Sequence, residues 1–294
     1  MNTILISGDE VQCGRISPDH LADAVLAVKT DGYVILQNVV DLDQIALLRD
    51  KMLADLPAFI ARSDAPYNFN KSNIQHDPPP FSPYLFRDIL VNEIVIAVTY
   101  QVLGNGVKNG YYSGNTALNA GGLRQPAHAD VGQLWPNLSA ATPAFGLVVN
   151  VPLVDVTPEN GSTELWPGTH LDTSIAMQAG DIKVDPVQLE AQRAILPPIQ
   201  PNIPVGSVVI RDIRMWHAGM PNHTPIPRIM IAMIHWVSWW NDNDVPCFLE
   251  ADREFFKHAV LRTSAHFVKG PIDYTNKSES YDYREEDQGP RTKQ

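Results

Sequence analysis

The hydrophobic pattern changes character near residue 104. Ahead of it, apolar positions recur at helical spacing. Ser17-Pro18-Asp19 supplies a hydroxyl N-cap followed by proline at the first helical position, Leu21, Val25 and Val28 share one face, and Asp31-Gly32 stops the helix. Tyr33-Val34-Ile35-Leu36 reads as a buried strand. The spacing predicts a second helix from Asp41, with Leu42, Ile45, Leu48, Met52 and Leu56 on one face, and a third over 86–103 that ends at Gly104. Between them, residues 64–83 (DAPYNFNKSNIQHDPPPFSP) hold too much Pro and Asn for regular structure. A loop that long in a compact domain commonly serves as a lid or pocket wall.

Beyond Gly104 the pattern turns to short strands and turns. Strands are predicted over 110–118, 145–153, 163–166, 203–211 and 229–237, punctuated by Pro152, Pro158, Pro167, Pro204 and Pro221. A helix-rich half followed by a strand-rich half suggests a mainly β domain with helices packed on one side of a sandwich or barrel. No internal repeat is present. We expect a single domain over 1–294: a helix-rich 17–104, a β core over about 105–240, an extension over 241–270 and a polar, loosely held tail over 271–294.

Composition narrows the function classes. With 44% hydrophobic and 19% charged residues the chain is an ordinary globular one, not a disordered one. A formal charge of −11 argues against nucleic acid and anionic membranes as partners. The 24 prolines and 18 glycines suit short strands joined by turns. Cys13 and Cys247 cannot form a disulfide framework, and neither has a basic neighbour that would activate it. The N-terminus lacks a signal-peptide pattern, and no apolar run approaches the roughly 18–20 residues of a membrane span. These readings predict a soluble cytoplasmic protein.

Candidate chemistry lies in the histidines. With nine histidines and 33 acids, an H-x-D triplet is cheap, and two occur: His128-Ala129-Asp130 and His170-Leu171-Asp172. Residues i and i+2 on a strand share a face, so an imidazole and a carboxylate can reach one metal ion. A distant histidine would complete the two-His-one-carboxylate arrangement of non-haem iron sites. Three predicted strands separate Asp130 from His217, but only one separates Asp172 from it. His170 also ends a turn, Trp166-Pro167-Gly168-Thr169-His170. We therefore take His128, Asp130 and His217 as ligands and His170 as structural. Arg228, eleven residues beyond His217, opens the next strand; its guanidinium fork suits a carboxylate. Asp155 and Asp212 read as turn caps, and His223 and His235 as non-ligands.

The ordered set His128-x-Asp130, then Glu159 to His170 (ENGSTELWPGTH), then Gly206-Ser-Val-Val-Ile-Arg-Asp, Trp216-His217-Ala-Gly and Arg228, resembles the phytanoyl-CoA dioxygenase family over about residues 20–270. The resemblance implies a double-stranded β-helix (jelly-roll, cupin-like) core and an Fe(II)- and 2-oxoglutarate-dependent oxygenase. In that family Fe(II) would be held by His128, Asp130 and His217, Arg228 would pair with the distal carboxylate of 2-oxoglutarate, and O2 would be the oxidant. Retention of Asp130 speaks against halogenation. Gln75-His76-Asp77-Pro78-Pro79, Tyr112-Ser113-Gly114-Asn115 and Leu134-Trp135-Pro136 are similar to an antibiotic-pathway member acting on an aminoglycoside. Val131 departs from that likeness, since an acidic residue is expected after the metal-binding aspartate. Gly219 stands where the family often has serine.

Softer assignments stay open between two readings. Gln75 either donates to the C1 carboxylate of 2-oxoglutarate or is a solvated loop amide. Thr163 and Asn115 either support the cosubstrate or pack within their strands. Trp135, Val131 and Trp239 are candidate substrate contacts; buried tryptophans such as Trp216 and Trp236 are more often core. The expected partner is a small-molecule secondary metabolite, aminoglycoside-like or another natural-product intermediate, oxidised by hydroxylation, ketone formation, desaturation or cyclisation. A homodimer is left open. The alternatives are a cupin-like metal-dependent hydrolase or isomerase, which does not explain Arg228, and a silent binding protein on the same scaffold.

Overall fold

The computed structural model describes residues 2–241 and 244–277 together with Tyr281–Asp282 and Arg291–Thr292. In chain order the elements that matter are β1 (Thr3–Leu5), α1 (Gly8–Cys13), α2 (Pro18–Asp31), β2 (Tyr33–Gln37), α3 (Leu42–Ile60), β3 (Asn73–Gln75), α4 (Arg87–Leu90), α5 (Glu93–Leu103), β4 (Lys108–Ala117), β5 (Gly146–Pro152), β6 (Glu164–Leu165), α6 (Pro186–Ile195), β7 (Val208–Asp212), β8 (His217–Ala218), β9 (Arg228–Trp236), β10 (Cys247–Leu249), β11 (Arg262–Thr263) and β12 (His266–Val268).

A mixed eight-stranded sheet runs β1-β2-β7-β5-β9-β4-β11, with β3 added against β4. Its central pairs are antiparallel; β1–β2 and β4–β11 are parallel. Period-two alternation sorts the side chains of the central strands. Val34, Leu36, Leu147, Val149, Val151, Val208, Ile210, Ile229, Ile231 and Met233 join the helices in the main core. There they meet Ala24 and Val28 of α2, Ile45, Leu48 and Met52 of α3, and Ile94, Val95 and Val98 of α5. Fully burying one such Leu or Ile contributes about 1.5–3 kcal/mol. The alternate residues Tyr33, Ile35 and Val209 form a separate cluster with Leu165 and Met215. The two-stranded β6–β8 sheet is thereby fastened to the face of the large sheet opposite the helices. Arg211 and Arg228 occupy this inner face in register with hydrophobic strand neighbours, and that is what brings charge into the interior.

Local chemistry explains most element ends. Ser17 caps α2 by accepting from the His20 N–H, and Gly32 closes it in the left-handed region at φ 85°. The second helix starts at Asp41 as expected, with Asp41 as the N-cap of α3, but Leu42 on its first turn is exposed. The helix predicted over 86–103 is broken: Asn92 accepts from the Ile94 and Val95 N–H groups and restarts the chain as α5. The strand predicted over 203–211 shrinks to β7, with Ile203 making only a bridge to Val156, and that over 163–166 shrinks to β6. The 64–83 segment, read as irregular, contains β3, and Phe69, Ser72, Asn73, Ile74, His76 and Asp77 within it are buried. Proline-rich stretches hid a strand that needs only three residues. The tail expected from 271 lies largely outside the described residues, but its first part is held: Tyr274 is buried and donates to Asp55 Oδ2 at 2.7 Å. No helix among the described residues is long and apolar enough to cross a membrane.

Candidate metal centre

The main-chain ladder assembles the ligands. His128 and His217 exchange backbone hydrogen bonds at 3.0 and 2.9 Å as an antiparallel bridge, and the Asp130 N–H donates to Ile213 O at 3.2 Å. His217 opens β8, which pairs with β6 through Leu165. The outcome is that one ligand atom from each of His128, Asp130 and His217 lies within 4.8 Å of the other two. The two imidazoles face each other with centroids 4.3 Å apart, and His217 Nε2 lies 3.5 Å from Asp130 Oδ1.

Each imidazole is oriented by a carbonyl. His128 Nδ1 is 2.8 Å from Pro126 O and His217 Nδ1 is 3.0 Å from Met215 O. With Nδ1–H donating to these oxygens, both Nε2 lone pairs are free for a metal. Burial, and then the neighbouring His217, push the His128 pKa down to about 3, so its ring is neutral and ligand-competent. Burial would raise the Asp130 carboxyl, but the Arg211 guanidinium, followed by His217, more than offsets this and holds it well below the usual carboxylate range. Arg211 Nη2 donates to Asp130 Oδ2 at 2.6 Å, leaving Oδ1 toward the histidines. Phe69 packs on the His128 ring at 4.7 Å with its backbone at φ 66°, a conformation that costs a non-glycine residue about 1–3 kcal/mol.

Arg228 opens β9 and is 1% exposed. Nη2 donates to Gly161 O at 3.1 Å and Nη1 reaches Asn115 O at 3.5 Å, while Nε is buried without a partner. Burial lowers its pKa to about 10, so it stays a cation at neutral pH. Among the described residues no carboxylate pairs with it, which is an unusual state for a buried guanidinium and one that suits an incoming anion.

The other sequence-derived candidates divide. Gln75 sits on β3, not in a loop, and its Nε2 donates to Tyr111 Oη and Ser113 Oγ at 2.6 and 2.7 Å. Ser113 in turn bonds the buried Asp77, which also meets Lys277 at 3.5 Å. Asn115 pairs with Gln75 across β3–β4 and is half-buried, and it is its backbone carbonyl that faces Arg228. Thr163 is half-buried beside β6. Val131 packs against the main core, whereas Trp135 and Trp239 are exposed at 57% and 62%, Trp239 leaning on Trp240. His170 is buried in its turn with Nε2 at 3.1 Å from Lys29 O and is not part of the ligand cluster. His235 is buried against Thr99 Oγ1 at 2.9 Å.

One residue of the site was not singled out in the sequence. Arg211 is visible there only as part of an Ile-Arg-Asp strand end; a charge at an inward position of a β-branched strand is the available signal. The glycine at 219 now has a physical reason: a Cβ there would lie 2.6 Å from Gln125 Oε1 and 3.0 Å from Asn73 Oδ1.

A model of the family described as phytanoyl-CoA dioxygenase (PhyH) matches residues 28–230. In structure the chain is similar to the non-haem α-ketoglutarate-dependent epimerase SnoN in complex with Fe3+, α-ketoglutarate and nogalamycin RO, at 16% identity and TM-score 0.55 over 75% of this chain and 85% of that one. It is also similar to the carbocyclase SnoK of nogalamycin biosynthesis (18%, TM-score 0.55, 76% and 84% covered) and to EctD from S. alaskensis (21%, TM-score 0.55, 79% of each). These likenesses establish a shared fold. With the family match spanning most of its length and the His-Asp-His triad assembled, the chain belongs to the phytanoyl-CoA dioxygenase family of non-haem Fe(II)- and 2-oxoglutarate-dependent oxygenases.

Proposed function

We propose that this enzyme oxidises an unactivated C–H bond of a polar small molecule, a natural-product intermediate of aminoglycoside-like or comparable polarity, in the cytoplasm. The observation that carries the reading is one His-Asp-His cluster, built around β8 of the small sheet, together with a buried Arg228 on the inner face of the large sheet that has no carboxylate partner among the described residues. A metal-dependent hydrolase would have no use for that arginine. The helix-backed sheet with a small facing sheet supports a jelly-roll core.

The donor set fits iron: two imidazoles whose Nδ1 atoms face carbonyls and one carboxylate, the last restrained by Arg211. His128, Asp130 and His217 would hold Fe(II), and Arg228 would take the distal carboxylate of 2-oxoglutarate. When bound, this pair supplies activation of O2, with decarboxylation of 2-oxoglutarate to succinate and the oxidising power to attack a C–H bond. The protein's part is orientation and exclusion of water. Arg228 fixes the direction of the cosubstrate by a charge-assisted, two-point contact. Asp130 fills the carboxylate position and so denies it to halide, favouring oxygenation. The inner-face polar group of Gln75, Tyr111, Ser113 and Asp77 supports a hydroxyl- or amine-bearing substrate over a purely aliphatic one.

The test is succinate formation with Fe(II), 2-oxoglutarate and O2 across a panel of polar natural products. A compound that raises succinate above the uncoupled rate and gains one oxygen or loses two hydrogens supports the reading. A chain that binds the metal and makes no succinate with or without substrate refutes it.

A further inference from the structure

Asn73 has no exposed surface, yet neither the oxygen nor the nitrogen of its carboxamide has a hydrogen-bond partner. A buried amide left in that state is costly, and native interiors rarely tolerate one without a bound group to meet it. Its neighbours are satisfied: Ser72 Oγ donates to Ala120 O at 2.6 Å, and Gln125 accepts from the Gly219 N–H at 2.8 Å and donates to Asn68 O at 3.2 Å.

Its position is informative. Asn73 pairs with Ala117, and Ala117 pairs with Arg228, so the three side chains leave one face of the sheet in one cross-strand row. Asn73 Oδ1 lies 3.0 Å from where a Cβ on Gly219 would stand. The next residue, Met220, lies against Gly161, whose carbonyl accepts from Arg228 Nη2. One short stretch, 219–220, thus neighbours both the unpartnered carboxamide of Asn73 and Gly161, the residue that holds the guanidinium whose Nε is also unpartnered.

We propose that Asn73 is a second anchor for 2-oxoglutarate, its Nδ2–H donating to the distal carboxylate beside Arg228, and that Gly219 is required to leave room for it. The inference rests on the 2-oxoglutarate reading above. It makes Asn73 a binding residue whose effect falls on the dicarboxylate and not on the metal.

The test uses the full chain under anaerobic conditions, with 2-oxoglutarate affinity read from titration in the presence of Fe(II), and metal affinity read separately with Mn(II). Asn73→Ala is expected to weaken 2-oxoglutarate about tenfold, the loss of one hydrogen bond to a charged group. Asn73→Asp is expected to weaken it further by like-charge repulsion, and both should bind Mn(II) within about twofold of wild type. Binding of 2-oxobutyrate, which lacks the distal carboxylate, should be unchanged by either substitution. If the alanine variant fails to fold, Asn73→Ser keeps a donor in less volume and should fall between wild type and Asn73→Asp. Wild-type affinity for 2-oxoglutarate in the Ala and Asp variants overturns the proposal, as does an equal loss for 2-oxobutyrate. A wild-type chain that binds Mn(II) and no 2-oxoglutarate overturns the underlying reading instead.

Discussion

Arg211 and Asp130 form an ion pair at the metal centre, with Nη2 2.6 Å from Oδ2, while the other carboxylate oxygen lies 3.5 Å from His217 Nε2. The carboxylate is therefore offered to the metal through one oxygen. Arg211 comes from the inner face of β7, opposite Tyr33 of β2 and Val148 of β5, so its placement is fixed by three strands.

Removing this partner should loosen the metal without removing a ligand. Arg211→Leu is expected to weaken Mn(II) or Fe(II) binding by about 10–100-fold, the usual effect of deleting a group that orients a ligand. Arg211→Lys, which keeps the charge but loses the fork, should fall between. Metal titration by calorimetry checks this; an unchanged affinity in Arg211→Leu would show that Asp130 needs no such restraint.

The two H-x-D triplets should behave oppositely. His128→Ala and Asp130→Ala are expected to abolish stoichiometric metal binding. His170→Ala should keep it within about twofold yet lose about 1–3 kcal/mol of stability, because the ring fills the turn against Gly32 and bonds Lys29 O. Metal affinity and denaturant unfolding of the variants, measured together, separate the roles.

A buried ion pair at the end of β7 carries structural weight. Arg214 and Asp212 are 3% and 1% exposed, joined at 2.9 and 2.7 Å, and Arg214 also donates to Gln133 Oε1 and Thr142 O. Asp212→Asn leaves this cation without its carboxylate and should cost about 3–5 kcal/mol in urea unfolding. A cost below about 1 kcal/mol would mean that solvent reaches the pair.

Acid should destabilise the fold through buried neutral histidines. Burial lowers the pKa of His235 to about 3 and that of His76 to about 4, the latter against a raising influence from Asp55. Both lie below the unfolded value of about 6.5, so the unfolded chain takes up protons first as pH falls. Their contribution is whole above pH 6.5 and shrinks by about 1.4 kcal/mol per histidine per pH unit down toward pH 4. His235→Asn should flatten the fall of the unfolding free energy between pH 6.5 and 4. Parallel curves for variant and wild type would assign the acid sensitivity elsewhere.

The legible parts of this protein were those written in local code. The N-cap at Ser17, the helix start at Asp41, the stop at Gly32, and the short apolar runs of β5, β7 and β9 are all short-range signals, and the structure follows them. His128 and Asp130 are distinguished from His170 and Asp172 by the number of strands between each triplet and His217, a feature carried by the sequence itself. What was hidden depended on contacts across long separations. Asn92 breaks the predicted third helix while its Nδ2 donates to Val39 O, and β3 exists because β4 offers it an edge. Arg211 gains its meaning from the ion pair with Asp130, and Asn73 from a register that sets it in one cross-strand row with Ala117 and Arg228, both long-range relationships. Exposure of Trp135 and Trp239 was equally invisible, since one residue type serves both core and rim.

The measurement that bears most directly on the oxygenase assignment is an anaerobic titration of Fe(II) and 2-oxoglutarate into the full chain, read in the visible. The wild type should develop the weak charge-transfer band of the iron–2-oxoglutarate chelate at one equivalent of each. His217→Ala should lose the band, and Arg228→Leu should need at least tenfold more 2-oxoglutarate to reach it. An iron-loaded wild type without the band, or a band that persists in His217→Ala, would contradict the site described.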